Sequence, residues 1–230
     1  MISLLSGRVT AYQNTLIDAS IAAGVKRFLP SEFGRDTRND MSNKFPIFAD
    51  KVKTLAYVQQ KAEERKIEYT AIVNGLFLDW GLEVGFTANL KENGVTKLYD
   101  GGDVPFSATL LSAVGQAIVG VLHKPEQTKN RIPRVQSASV TQKKLLAMAQ
   151  KLRPEREFKT EIVSTEDIER QSWESVKSGQ GDIGAAMFGF LFRAVFGKGY
   201  GGQLRDLDNE LLGVHALSEK EAEEIVARYL

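Results

Sequence analysis

The chain contains no cysteine. This removes disulfides, thiolate nucleophiles and cysteine-based metal sites, and it fits a reducing, cytoplasmic setting. Histidine is almost as scarce. His123 and His215 are the only two, too far apart in sequence to found a histidine-rich metal centre. Neither sign of charge is in excess: Lys and Arg number 30 against 29 Asp and Glu, a net charge of +1. No block of basic residues is present to track a phosphate backbone, which argues against nucleic acid as a partner. Long apolar runs are missing too. The most apolar stretch, AAMFGFLFRAVFG at residues 185–197, is shorter than the ~20 residues a bilayer span needs and is interrupted by Arg193, so it reads as a buried or interface helix and not as a membrane segment. The opening MISLLSG has no basic region ahead of its apolar residues, too little for a signal peptide. No internal repeat or low-complexity tract is found.

What the chain does have is an ordinary globular balance. Over 230 residues, 43% are apolar and 26% charged, enough for one large domain or two small ones. Ile2 to Leu5 reads as a short buried strand ending in Ser6-Gly7. Val9, Tyr12, Leu16 and Ala19 then recur at helical spacing, and Gly24 closes that helix. A strand over 25–29, a helix over about 48–65 and a strand over 69–73 follow. Alternation of strands and helices is the signature of an α/β fold with a parallel sheet. Beyond Asn74-Gly75 the pattern predicts a short hairpin around KLY between KENG and DGGD, and a helix over 107–123. Strand-like VQSASV and FKTEIV precede helices starting near Thr141 and Ser164. Ser218 with Glu221 forms a capping box that opens the last helix. The expected division is residues 1–80 as strand–helix units of the parallel sheet and 81–230 as a smaller α/β region packed on it, with some interleaving of sheet elements.

Ligands of open parallel sheets bind beyond the carboxyl ends of the strands. Three strand ends here carry suitable groups: Ser3 to Gly7, Pro30-Ser31-Glu32-Phe33-Gly34, and Asn74 to Phe77. Pro30 stops strand pairing because it has no N–H. Ser31 and Glu32 offer polar groups, Phe33 an apolar wall, and Gly34 room to turn. The same residues also make ordinary turns, and local pattern leaves both readings open. Lys51, in the first turn of the second helix, shares a face with Leu55, Val58 and Ala62. A lysine in an apolar stripe at the ligand edge either snorkels or reaches into a site, where partial burial makes acid–base use possible.

Taken together, VKRFLPSEFG, FADKVKTLAYVQQKAEERKIEYTAIVNGLFLDWGLEVG, LYDGGDVPFS and LDNELLG resemble the NmrA-like, isoflavone-reductase-like family of atypical short-chain dehydrogenases, fungal members most of all. The resemblance covers nearly the whole chain. It implies a Rossmann fold with a small substrate domain, NADPH as cofactor, and hydride transfer to a small aromatic or phenylpropanoid-like acceptor. By position, Lys51 resembles the lysine that serves as general acid–base or supports the nicotinamide ribose. Pro30, Ser31, Glu32 and Phe33 would line the nicotinamide end with Asn74, Gly75 and Phe77. Ser3 and Ser6 would lie beside the adenosine ribose and pyrophosphate. Tyr57 and Lys61 also read Y-x-x-x-K, the pair of classical short-chain dehydrogenases, but Lys61 sits roughly 15 Å along the helix from Lys51, and both are expected to be surface residues.

The family's opening strand, glycine-rich turn and helix, which hold the pyrophosphate, have no counterpart in these residues. The only glycine-dense stretch, GKGYGG at 197–202, follows a helix pattern and precedes none, so it reads as a flexible loop. The expectation is therefore a family member without its first half-Rossmann: a truncated product, a gene-model error or a shortened paralogue, with weak dinucleotide affinity. Three functions compete. One is an NADPH-dependent reductase. Another is a non-catalytic dinucleotide-sensing or partner-binding regulator of the NmrA type. The last is an inactive fragment whose exposed sheet edge invites homo-oligomerisation.

Overall fold

A computed structural model describes residues 1–5, 7–179 and 181–230. Its seven strands are β1 (Arg27–Phe28), β2 (Glu68–Tyr69), β3 (Leu76–Phe77), β4 (Val95–Tyr99), β5 (Phe106–Thr109), β6 (Ala138–Val140) and β7 (Lys159–Val163). The helices are α1 (Gln13–Ala22), α2 (Ala49–Glu63), α3 (Leu78–Glu83), α4 (Leu111–His123), α5 (Pro125–Thr128), α6 (Gln142–Leu152), α7 (Thr165–Ser178), α8 (Ile183–Phe196), α9 (Asn209–Leu212) and α10 (Glu219–Ala227). Two 3-10 turns, Gly7–Tyr12 and Pro46–Phe48, lead into α1 and α2.

The expected parallel sheet is present. β1 pairs in parallel with β2, and parallel bridges extend the ladder from Ile2–Leu29 on one side to Thr70–Arg131 and Val73–Arg134 on the other. β3 runs parallel to β5, which takes β6 as an antiparallel neighbour. The ladder thus draws strand segments from both sides of residue 80. Between α1, α2 and this sheet lies a core of Ile17, Phe28, Leu55, Val58, Ile67 and Tyr69. α2 obeys its apolar stripe, burying Leu55 and Val58.

The structure departs from the sequence reading in four places. α1 is helical, but the face it buries is Gln13, Ile17 and Ser20, while Val9 and Tyr12 stay exposed. A polar residue wins the inward position because the Gln13 side chain accepts from the backbone N–H of Ser31 at 2.6 Å. The KLY segment is not in a hairpin: β4 pairs in parallel with β7, some sixty positions away in register from Val95–Lys159 to Tyr99–Val163. The turn residues that signalled a hairpin, Asp100, Gly101 and Gly102, do take positive φ, but they lead away from the strand instead of folding it back. The helix expected from residue 107 begins at Leu111, because Phe106–Thr109 is spent on β5, whose four residues are all buried.

The last correction concerns 197–202, which is a packed loop and not a flexible one. The Gly202 carbonyl accepts from Ser107 N at 2.9 Å, the Tyr200 carbonyl accepts from Arg35 at 2.8 Å, and a side chain at Gly201 or Gly202 would collide with Asn39 or Val195. Tyr200 is itself buried, its ring stacked 5.8 Å from Phe45. α8 is the buried helix that its composition predicts. It lies against α7 and contributes Phe190 to one aromatic cluster with Phe45 and Trp173, and Phe192 and Phe196 to another with Tyr99 and Phe86. Among the described residues no helix is long and apolar enough to cross a membrane.

Candidate active site

The strand-end turns at 30–34 and 74–75 meet. The Gly34 carbonyl accepts from the backbone N–H of both Asn74 and Gly75, each at 2.9 Å. Pro30 ends the first of these strands with a tight turn in which Glu32 N donates to the Pro30 carbonyl at 2.8 Å. Gly75 has φ +67, and a Cβ there would collide with the Ser107 carbonyl, so the second turn depends on glycine for both its backbone and its space.

α2 runs antiparallel to the strands, which brings its first turn to this edge. Lys51 Nζ donates to the backbone carbonyl of Glu32 at 2.5 Å and would lie 3.6 Å from a Cβ placed on Gly34. Lys51 is partly buried as a residue, with its amine end enclosed. Burial lowers the proton affinity of that amine, and the nearby Glu32 charge opposes the effect. Glu32 is 1% exposed. Its burial pushes the carboxyl upward, against the influence of Lys51 and of a hydrogen bond from Thr37 Oγ1 at 3.0 Å. The other oxygen, Oε1, has no hydrogen-bond partner among the described residues. Burial thus moves the amine and the carboxyl toward each other, the amine downward and the carboxyl upward, as expected of a pair able to exchange protons with a ligand.

Lys51 opens on a cavity of about 230 Å³. Phe33, Gly34, Gly75 and Phe77 line it from the strand ends, Ile47 and Phe48 from the entry to α2, Trp80 and Phe86 from around α3, and Leu191 and Val195 from α8. Leu76, Arg35 and Thr37 complete the lining. A larger cavity of about 630 Å³ lies at the opposite end of the sheet, where β1 and β2 begin. Glu68 there pairs with both Arg27 and Lys129, and none of the residues singled out at the strand ends lines it.

Of the residues singled out from sequence, the cavity gathers Phe33, Gly75, Phe77 and Lys51. Pro30, Ser31, Glu32 and Asn74 stand behind it. The Ser31 hydroxyl donates to the Leu5 carbonyl at 2.8 Å. Asn74 is fully buried, with Nδ2 donating to the Gly75 carbonyl at 3.2 Å and Oδ1 unpartnered among the described residues. Ser3 lies on the far side of the first strand, its N–H on the Leu29 carbonyl at 2.9 Å and its hydroxyl unpartnered among the described residues, as are Gln13 Nε2 and Asn14 Oδ1. Ser6 lies outside the described residues. Tyr57 and Lys61 sit away from the cavity: Tyr57 donates to Asp18 at 2.6 Å, and the Lys61 amine lies 5.0 Å from the Tyr57 ring.

Sequence reasoning missed Arg35 and the α8 wall. Arg35 directly follows the conspicuous PSEFG and could have been noticed. Leu191 and Val195 reach the cavity only through tertiary packing, and nothing local marks them.

The NmrA-like family model matches residues 1–171. The chain is 32% identical over 232 residues to the oxidoreductase aprR of Aspergillus flavus, covering 100% of this chain and 76% of that protein. Among solved structures, the pinoresinol-lariciresinol and phenylcoumaran benzylic ether reductases superpose with a TM-score of 0.75 at 21% identity, over 100% of this chain and 75% of that one. AtPrR2, determined with NADP+ and (+)pinoresinol, gives 0.71 at 21% identity over 100% and 74%. At those identities the likeness is one of fold, the Rossmann-like α/β architecture.

Proposed function

Because this chain belongs to the NmrA-like family, we propose that it acts as a nicotinamide-dependent reductase of a small aromatic acceptor, with Lys51 handling the proton. The observation that carries this reading is the Lys51 amine, fixed at 2.5 Å from the Glu32 carbonyl and opening on an apolar cavity at the carboxyl edge of the sheet. On this reading residues 1–80 hold the cofactor and 81–230 shape the acceptor pocket, through Phe86, Leu191 and Val195.

The residues present fit the nicotinamide end of a dinucleotide. Asn74 Oδ1 and Ser3 Oγ are buried oxygens with no partner among the described residues, and such groups are costly unless something donates to them. Asn74, with Phe33, Gly75 and Phe77, would hold the nicotinamide and its ribose, and Ser3 would face the adenosine ribose and pyrophosphate; bound there, NADPH supplies a hydride. Lys51 keeps a proton at Nζ and delivers it to the acceptor atom that gains negative charge. Burial favours that release by lowering the amine's proton affinity. The Phe33, Phe77 and Trp80 rings give the cavity an apolar lining. A glycine-rich turn and the helix N-terminus behind it, which would strengthen pyrophosphate binding, have no counterpart in these residues, and this reading expects weak NADPH binding.

The test is a titration of the purified chain with NADPH, followed by cofactor fluorescence. Saturable binding with a Kd above about 1 μM, near −8 kcal/mol, is expected, together with NADPH oxidation in the presence of an aromatic acceptor that Lys51→Met abolishes. No saturable response would overturn the reading. Binding without any Lys51-dependent turnover would turn it toward a dinucleotide sensor.

A further inference from the structure

Arg35 is a buried cation without a counter-ion of its own. It is 6% exposed, and of its three guanidinium nitrogens only Nη2 is engaged, donating to the Tyr200 carbonyl at 2.8 Å. Nε and Nη1 are buried and make no hydrogen bond to any described residue. The guanidinium carbon lies 4.9 Å from the centre of the Phe48 ring, and both residues line the cavity into which Lys51 opens. Asp36 is adjacent in sequence, but its oxygens are taken by Arg38 and Arg134 at 2.7 to 3.0 Å. Burial brings the Arg35 group down to about 10, with Asp36 pulling the other way, so it stays protonated at neutral pH.

The cavity therefore has a definite chemical sign. Its charged lining residues are Arg35 and Lys51, both cationic, and no carboxylate lines it among the described residues. The rest is mostly aromatic and aliphatic. A buried cation whose donors point at nothing carries a desolvation cost that an anion can offset, and a planar guanidinium suits a carboxylate. The volume, about 230 Å³, exceeds the roughly 150 Å³ that accommodates benzene, leaving room for one substituted ring. We propose that the acceptor taken by this cavity is an aromatic carboxylate, its acid group paired with Arg35 and its ring held among Phe48, Phe77 and Trp80. This rests on the reductase reading only in calling the ligand an acceptor; the binding itself needs no cofactor.

The experiment is calorimetric titration of the whole chain with trans-cinnamate and with cinnamamide, its neutral isostere, at pH 7. The expected result is that cinnamate binds at least about tenfold tighter, the scale of a charge-assisted hydrogen bond, and that Arg35→Met binds both equally. Equal binding of the two probes by the unaltered chain overturns the proposal whatever the variant does, including its failing to fold. A preference for cinnamate that survives in folded Arg35→Met overturns it as well, and assigns the preference to Lys51. An NADPH titration of the same sample separates the two readings. Cinnamate binding without NADPH binding removes the reductase and leaves the carboxylate site, whereas NADPH binding without discrimination between the probes does the reverse.

Discussion

The Lys51 amine donates to the backbone carbonyl of Glu32, at 2.5 Å, and not to that residue's carboxylate. The carboxylate instead takes Thr37 on one oxygen. A neutral acceptor fixes the amine in place without binding its proton as a salt bridge would. Lys51→Met should lower turnover by about 100-fold or more, the usual worth of a positioned acid–base group, with NADPH affinity little changed. Because burial lowers its proton affinity in the fold, the unfolded chain binds the extra proton more readily. The resulting cost is fully present at low pH and is relieved as pH rises toward 10.5. Thermal melts from neutral to alkaline pH should show this relief in the parent chain and a flatter profile in Lys51→Met. Lys61→Ala should leave turnover unaltered.

Glu32→Gln removes the charge that supports protonation of Lys51. The Lys51-dependent limb of the kcat/KM pH profile should move to lower pH, and a limb that stays in place would separate Glu32 from the mechanism. The effect on stability has the opposite sign to that of a salt-bridged acid. The folded carboxyl is raised by burial, so its favourable contribution exists below the unfolded value of about 4.5 and is lost as pH climbs through the folded one. At neutral pH, Glu32→Gln should be as stable as the parent chain or more so, by denaturant melts.

Asp36 behaves in the usual way for an acid. Burial alone would raise it, but hydrogen bonds from the Arg38 side chain and backbone, and from Arg134, outweigh this and bring it down to about 2. Its contribution, on the order of 2 kcal/mol, is present above about 3.8 and is lost as pH falls through about 2. Asp36→Asn should lose that much at pH 7 and show less further loss on acidification, because Asp36 joins the 34–39 loop to the strand segment at Arg134.

Two glycines with similar backbone angles should respond differently to alanine. Gly24 (φ +71) has nothing near its missing Cβ, so Gly24→Ala should cost about 1 kcal/mol of backbone strain. Gly75 (φ +67) adds a collision with the Ser107 carbonyl and should cost more than about 3 kcal/mol. Urea denaturation of both variants gives the comparison.

Local chemistry was legible wherever a residue's role is set by its neighbours in sequence. The Ser218–Glu221 capping box, the helix starts at Thr141 and Ser164 and the stripe of α2 all read directly. So did the gathering of Phe33, Lys51, Gly75 and Phe77 at one edge, because a parallel sheet puts all carboxyl ends together. The β4–β7 pairing was not legible, since its two halves are distant and the glycines between Tyr99 and Val104 mimic a hairpin turn. α1 misled because a buried glutamine answers to a backbone N–H on another strand, which no periodicity records. The packed loop at 197–202 looked loose for a similar reason. Its glycines are there to let Asn39 and Val195 approach, and those neighbours are remote in sequence.

α8 carries two duties on one set of fourteen residues. Phe190, Ala194 and Phe196 are locked into aromatic clusters, while Leu191 and Val195, four apart, face the cavity. The strand ends that position Lys51 contribute nothing to that wall. On the proposed reading, Leu191 is the α8 side chain whose exchange would reshape the acceptor pocket while Lys51 stays in place, because Val195 is itself part of the core that seats the helix. Diversification of this kind needs no new loop and no insertion, only tolerance for volume at position 191.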